Sequence, residues 1–139
     1  MPDEAFRKAT AQQYAQRLNE GDVEGTLALF TDDVVFEDPV GRPPTVGKEA
    51  LRRHLTMSVE HQVHETPEVS VTSMCDRFVV TSSKVVLRAP TVMNFRIIGI
   101  VEFNEEGLGT HVRAFWGMTD LTVGEARHTD ATPAVSSRR

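Results

Sequence analysis

The chain has 139 residues, with 15 Lys and Arg against 20 Asp and Glu, and a formal charge of −5. That length holds one domain with a true core, and an apolar fraction of 40% is ordinary for a globular fold. The acidic balance argues against nucleic acid or an anionic membrane as partner, and no apolar run reaches the roughly 20 residues that cross a bilayer.

The start, MPDEAFRKAT, is too polar for a secretion signal and predicts a cytoplasmic protein. Residues 3–20 read as an amphipathic helix with Phe6, Ala9, Tyr14 and Leu18 near one face and Arg7, Lys8, Gln12 and Arg17 elsewhere. Gly21 suits its C-terminal end, and Asp22 suits the N-cap of a short second helix from Val23 to Phe30, with Leu27 and Phe30 inward. Thr31-Asp32-Asp33 ends that helix and Val34-Val35-Phe36 begins a strand. After a turn rich in Gly and Pro, a third helix is expected from Lys48 to about Glu60, with Ala50, Leu51, Leu55 and Val59 as its apolar stripe.

Beyond Pro67 the texture is β. Val69, Val71 and Met74 alternate, followed by Phe78 to Val80, Lys84 to Leu87, Val92 to Phe103 and Thr110 to Leu121. Breaks at 75–77, 88–90 and 104–107 read as hairpin connections. Residues 1–122 then form one domain and 123–139, poor in apolar residues, a disordered tail. Three helices before an antiparallel meander predict an α+β fold, a strongly curved sheet wrapped over helices with a pocket at its open end.

One cysteine, Cys75, excludes an internal disulfide and reads as a packed thiol in a strand-like segment. Five histidines (His54, His61, His64, His111 and His128) never fall at HxH or HExxH spacing, so neither a metal nor a cofactor is expected. His54 and His64 read as surface or satisfied histidines.

The most informative local pattern is Phe36-Glu37-Asp38-Pro39-Val40-Gly41. Proline keeps the preceding residue extended and denies it a helical continuation, so Asp38 is fixed on a turn at the end of an apolar run. An acid so placed can move protons if an apolar cavity lies in front of it; the same pattern also serves an acid that only bonds nearby backbone N–H groups. Glu65, in His64-Glu65-Thr66-Pro67, alone reads as a solvated acid at a strand start. Trp116, the single tryptophan, belongs to a strand facing pocket or core, with its N–H open to a substrate oxygen and Phe115 on the opposite face. Phe30, Arg42 and Trp116 are the candidate substrate contacts, with Arg113 a further rim group.

Tyr14, the run Arg17-Leu18-Asn19-Glu20-Gly21-Asp22, Leu29-Phe30, Asp33, Glu37-Asp38-Pro39-Val40-Gly41 and Phe115-Trp116-Gly117 resemble the ketosteroid isomerase-like group, which includes SnoaL-type polyketide cyclases. The resemblance covers about residues 5–121 and implies a cone-shaped NTF2-like fold and a dimer through the outer sheet face. In the isomerases, an Asp matching Asp38 moves a proton and a Tyr matching Tyr14 stabilises the enolate oxygen. A second Asp, kept protonated by its apolar site, donates to the same oxygen. Here Gly99 takes that second acid's place and has no donor side chain. Asp38 with Glu65 instead resembles the epoxide hydrolases (cyclases) of polyether antibiotic biosynthesis. That likeness implies Asp38, Glu65 and, in support, Tyr14 as catalytic residues, with Tyr14 hydrogen-bonded to Asp38. It also implies a large polyketide polyepoxide as substrate, and a homodimer or a homologous partner subunit. An isomerase or cyclase using Asp38 alone, and a ligand-binding NTF2-like domain without catalysis, stay open.

Overall fold

The computed structural model describes residues 2–124. In chain order it comprises helix α1 (Glu4–Asn19), helix α2 (Val23–Leu27), strand β1 (Phe30–Glu37), strand β2 (Thr45–Val46), helix α3 (Lys48–Glu60), then β3 (Val63–Thr72), β4 (Phe78–Leu87), β5 (Met93–Phe103), β6 (Gly109–Phe115), one 3-10 turn (Met118–Asp120) and β7 (Leu121–Val123). The sheet order is β2-β1-β6-β5-β4-β3, with β7 on the edge of β5. Among the described strands only the β1–β6 pairing is parallel. The long central strands twist and curl as strands of L-residues do, and the helices occupy the concave side. Three helices on a curled sheet make this the NTF2-like, ketosteroid isomerase-like α+β fold.

Local chemistry accounts for the helix ends. Asp3 caps α1 by accepting from Phe6 N at 2.8 Å, and Asp22 caps α2 by accepting from Gly25 N at 2.9 Å. Between them Gly21 takes φ +77°, a conformation that glycine adopts without strain. Leu18, Leu27, Phe30, Val34, Phe36, Leu51, Leu55 and Val112 form the core where the helices meet β1 and β6. Burying each large aliphatic side chain there contributes roughly 1.5–3 kcal/mol. Gly109 admits Phe30 to this core, because a Cβ at that position would lie 2.7 Å from the Phe30 ring.

The structure corrects several expectations. The second helix stops at Leu27, and Phe30 already belongs to β1, paired with Gly109. In α1 it is Arg7, not Phe6, that turns inward: Arg7 is 2% exposed, Phe6 is 46% exposed, and Ala9 is exposed too. Five carbonyl and hydroxyl contacts make this tolerable. Arg7 Nε donates to Pro2 O (3.1 Å) and Asp3 O (3.2 Å), and Nη1 to Phe78 O (2.6 Å), Ser73 Oγ (3.1 Å) and Ser73 O (3.4 Å). The cation thus ties α1 to the β3–β4 hairpin. Cys75 is exposed in that hairpin turn, so it is not a packed thiol.

The register of β3 against β4 shifts between Pro67 and Val69, leaving Glu68 as an additional residue. Before the bulge Glu65 faces inward. After it Ser70 faces inward, bonded to Thr81 Oγ1 at 2.8 Å, while Val69 and Val71 stand on the outer face, 62% and 56% exposed. The strand expected to run to Leu121 ends at Phe115, and the chain then turns back to place β7 along β5. Val123 closes β7, and Gly124 N donates to Val92 O; the rest of the expected tail, 125–139, lies outside the described residues. No helix among the described residues is long and apolar enough to cross a membrane.

Candidate active site

The concave face encloses one mostly apolar cavity whose wall includes Tyr14, Phe30, Phe36, Asp38, Glu65 and Gly99. Three hydroxyl residues, Thr10, Thr81 and Ser83, complete its polar lining. Strand parity brings these groups together. Phe36 points inward from β1, so two residues on, just past the strand end, Asp38 emerges on the same side. On the opposite wall Glu65 (β3) stands across from Val85 in the β3–β4 ladder, with Ser83 two residues further along β4. Gly99 (β5) faces Ala114 (β6), and a Cβ at Gly99 would meet nothing within 4 Å, so the cavity floor is open there.

Glu65 is held by its backbone as well as its strand. Asn19, the last residue of α1, accepts from Glu65 N at 2.7 Å and donates to Glu65 O at 2.8 Å. The Glu65 carboxyl itself is buried, and burial pushes its pKa up to about 7; the Ser83 hydroxyl pulls it down and the Asp38 charge pushes it up again. Glu65 therefore retains a substantial proton population near neutrality.

Asp38 is gripped from outside the cavity. Trp116 Nε1 donates to Asp38 Oδ1 at 2.7 Å, and the indole is braced edge-to-face on Phe95, ring centroids 4.9 Å apart. The indole N–H expected to meet substrate is thus engaged by the acid, and Trp116 is not among the residues lining this cavity. His54, on α3, approaches the other oxygen, with Nε2 3.6 Å from Asp38 Oδ2, and its ring packs against Phe36 at 5.5 Å. His54 is therefore a half-buried neighbour of the acid. His64 is exposed on the outer side of β3.

Tyr14 lines the cavity but, among the described residues, makes no hydrogen bond to Asp38. Its ring instead stacks on Phe36 (6.5 Å) and meets Phe30 edge-on (6.0 Å). Burial first, then the Glu65 and Asp38 charges, push its hydroxyl well above the ordinary tyrosine range, so it remains an O–H donor. Phe30 joins the wall, whereas Arg42 is exposed on the turn after Asp38 and takes no part in it. Arg113 lies on the outer face beside Glu37 (3.8 Å), with His111 Nε2 2.6 Å from the same carboxylate. Among the described residues no three His, Cys, Asp or Glu side chains converge as a metal site would require.

The SnoaL-like domain family matches residues 11–112, and the chain belongs to that family. It is 36% identical over 125 residues to epoxide hydrolase LasB of Streptomyces lasalocidi, an alignment covering 86% of this chain and 44% of LasB. The chain thus spans less than half the length of that curated relative. Among solved structures it superimposes on the epoxide hydrolase/cyclase-like enzyme SalBIII, which has a role in pyran ring formation in the polyether salinomycin, with TM-score 0.83 and 29% identity over 88% of this chain and 99% of SalBIII. It also matches a Δ5-3-ketosteroid isomerase from Mycobacterium sp., with TM-score 0.78 and 26% identity over 84% of this chain and 97% of the isomerase.

Proposed function

We propose that this chain is a cofactor-independent epoxide hydrolase/cyclase that closes cyclic ethers on a polyepoxide polyketide, in polyether biosynthesis, by attack of an internal hydroxyl. The observation that carries the reading is that Asp38 and Glu65 line one apolar cavity, with burial raising the Glu65 pKa to about 7. Epoxide opening needs a base to relieve the attacking hydroxyl and an acid to protonate the departing epoxide oxygen. Glu65 holds its proton near neutrality and serves as the acid. Asp38, on the other wall and oriented by Trp116, serves as the base. The Tyr14 hydroxyl is a second donor within the same space. Such acid–base help is worth roughly 10² to 10⁴ in rate per group, and the apolar wall adds exclusion of water, which would otherwise give a diol.

The similarities to LasB and SalBIII support this chemistry, and the absence of a donor side chain at Gly99 weighs against steroid isomerisation with a two-donor oxyanion hole. The outer sheet face exposes Val69, Val71, Ile98 and Phe115, which supports pairing with a second copy of the chain. The direct test is incubation of the pure protein with a linear hydroxy-polyepoxide polyketide. Cyclised isomers of unchanged mass are expected, and recovery of only diols or unreacted substrate would refute the reading.

A further inference from the structure

Resting on that reading, we propose that Gly99 keeps open a recess in the cavity floor that receives an alkyl branch of the substrate beside the reacting epoxide. The enzyme then selects branched carbon chains over unbranched ones. A glycine inside a strand weakens it, and the structural reasons for keeping one are a left-handed backbone, a bulge or a close neighbour. None of these applies to Gly99, in the middle of β5. It is not among the glycines with positive φ. The ladders to β4 and β6 run in unbroken register through it, pairing it with Thr81 on one side and Ala114 on the other. A Cβ built there would meet nothing within 4 Å. What the missing side chain leaves is space, and that space belongs to the cavity that Asp38 and Glu65 line.

The recess has a shape and a chemistry. Residues two apart on a strand share a face, so Ile97 and Val101 stand on either side of Gly99 along β5, and both line the cavity. Across the sheet its neighbours are the short side chains of Thr81 and Ala114. The result is a notch with aliphatic shoulders. The Thr81 hydroxyl is bonded to Ser70 Oγ at 2.8 Å, toward β3 and so away from Gly99. The other hydroxyls of the lining are engaged too, Thr10 donating to Phe6 O at 3.1 Å and Ser83 bonding the Glu65 carboxyl. A hydroxyl or carboxylate pushed into the notch would lose its water shell among groups already bonded to one another. A methyl or ethyl group would instead leave water for apolar contact. Seated there, it also fixes how the chain lies across the two acids.

The experiment uses two hydroxy-epoxides identical but for an alkyl branch beside the epoxide, together with the olefins of the same skeletons, which bind without reacting. Wild type should favour the branched epoxide by about 10-fold or more in kcat/KM, and bind its olefin more tightly by a similar factor, as a buried alkyl group gives. Gly99→Val, which fills the notch, should lose that preference through the branched compounds alone. It should keep the unbranched rate within about 3-fold and melt no lower than wild type, because its Cβ presses on no neighbour. Equal wild-type rates on the two epoxides, or equal losses on both in Gly99→Val, would overturn the proposal. So would a lowered melting temperature in Gly99→Ala, which would mean that the glycine serves the bend of the strand. If wild type cyclises neither epoxide, the parent reading fails. A branched-olefin preference abolished by Gly99→Val would then still uphold the recess, and no such preference would overturn it.

Discussion

Asn19 and Glu65 hold each other through two hydrogen bonds, 2.7 and 2.8 Å, between the end of the first helix and the backbone of a neighbouring strand. The amide of one side chain thereby sets where a buried carboxyl enters the cavity. Asn19→Ala should lower stability by about 1–2 kcal/mol, from two unpaired backbone groups, and reduce kcat about 10-fold while KM changes little. Thermal melts together with steady-state kinetics check both effects.

The two-carboxyl mechanism predicts that Asp38→Asn and Glu65→Gln each lower kcat by roughly 10² to 10⁴ while circular dichroism stays that of the folded protein. Full activity in Glu65→Gln beside an inactive Asp38→Asn would instead assign Asp38 as the sole base, as in an isomerase or aldol-type cyclase.

The raised Glu65 pKa fixes a pH dependence. A carboxyl whose pKa climbs from 4.5 to about 7 on folding binds its proton more tightly in the native state. Its contribution to stability is fully present below pH 4.5 and is lost as pH rises to about 7, a change on the order of 3 kcal/mol. Glu65→Gln, which cannot ionise, should therefore melt higher than wild type at pH 8, with the gap closing toward pH 4.5. Turnover by the wild type should fall above about pH 7 as the acid loses its proton.

Trp116→Phe keeps an aromatic ring against Phe95 but deletes the N–H that holds Asp38. The expected loss is about 10-fold to 100-fold in kcat, with a melting temperature close to wild type. A wild-type rate would mean that the indole bond has no role in orienting the base.

Arg7→Leu should cost about 3 kcal/mol, because Phe78 O and the Ser73 oxygens lose a charged donor in a dry site. Denaturant melts measure it directly.

Much of the fold was legible because its signals are local. Asp22 and Gly21 mark the break between helices, and Leu51 and Leu55 mark the face of the third helix. Arg7 was not legible: a lone cation reads as surface until the carbonyls of residues 73 and 78, far along the chain, arrive to bond it. The acids of the site could be singled out by resemblance, but their partners could not. His54, Trp116 and Ser83 acquire their places from helix docking, strand end and ladder register, none of which one sequence encodes locally. The inward phase of Thr81 and Ser83 is a weak signal, two hydroxyls spaced between Val79 and Val85.

Residues 65, 69 and 71 share the same parity, so an unbroken pleat would show all three to the same medium. The single surplus position at Glu68, whose carboxylate reaches Lys84 and Arg96 at 3.6 Å, resets the count halfway along the strand. On either side of it one ribbon delivers an acid to an oily chamber and two valines to the exterior. Excising that residue would restore strict alternation and leave both deliveries in place. What it would remove is the bend, since a bulged strand coils harder than a regular one. A straighter ribbon on that side would curl less around the chamber that Glu65 lines.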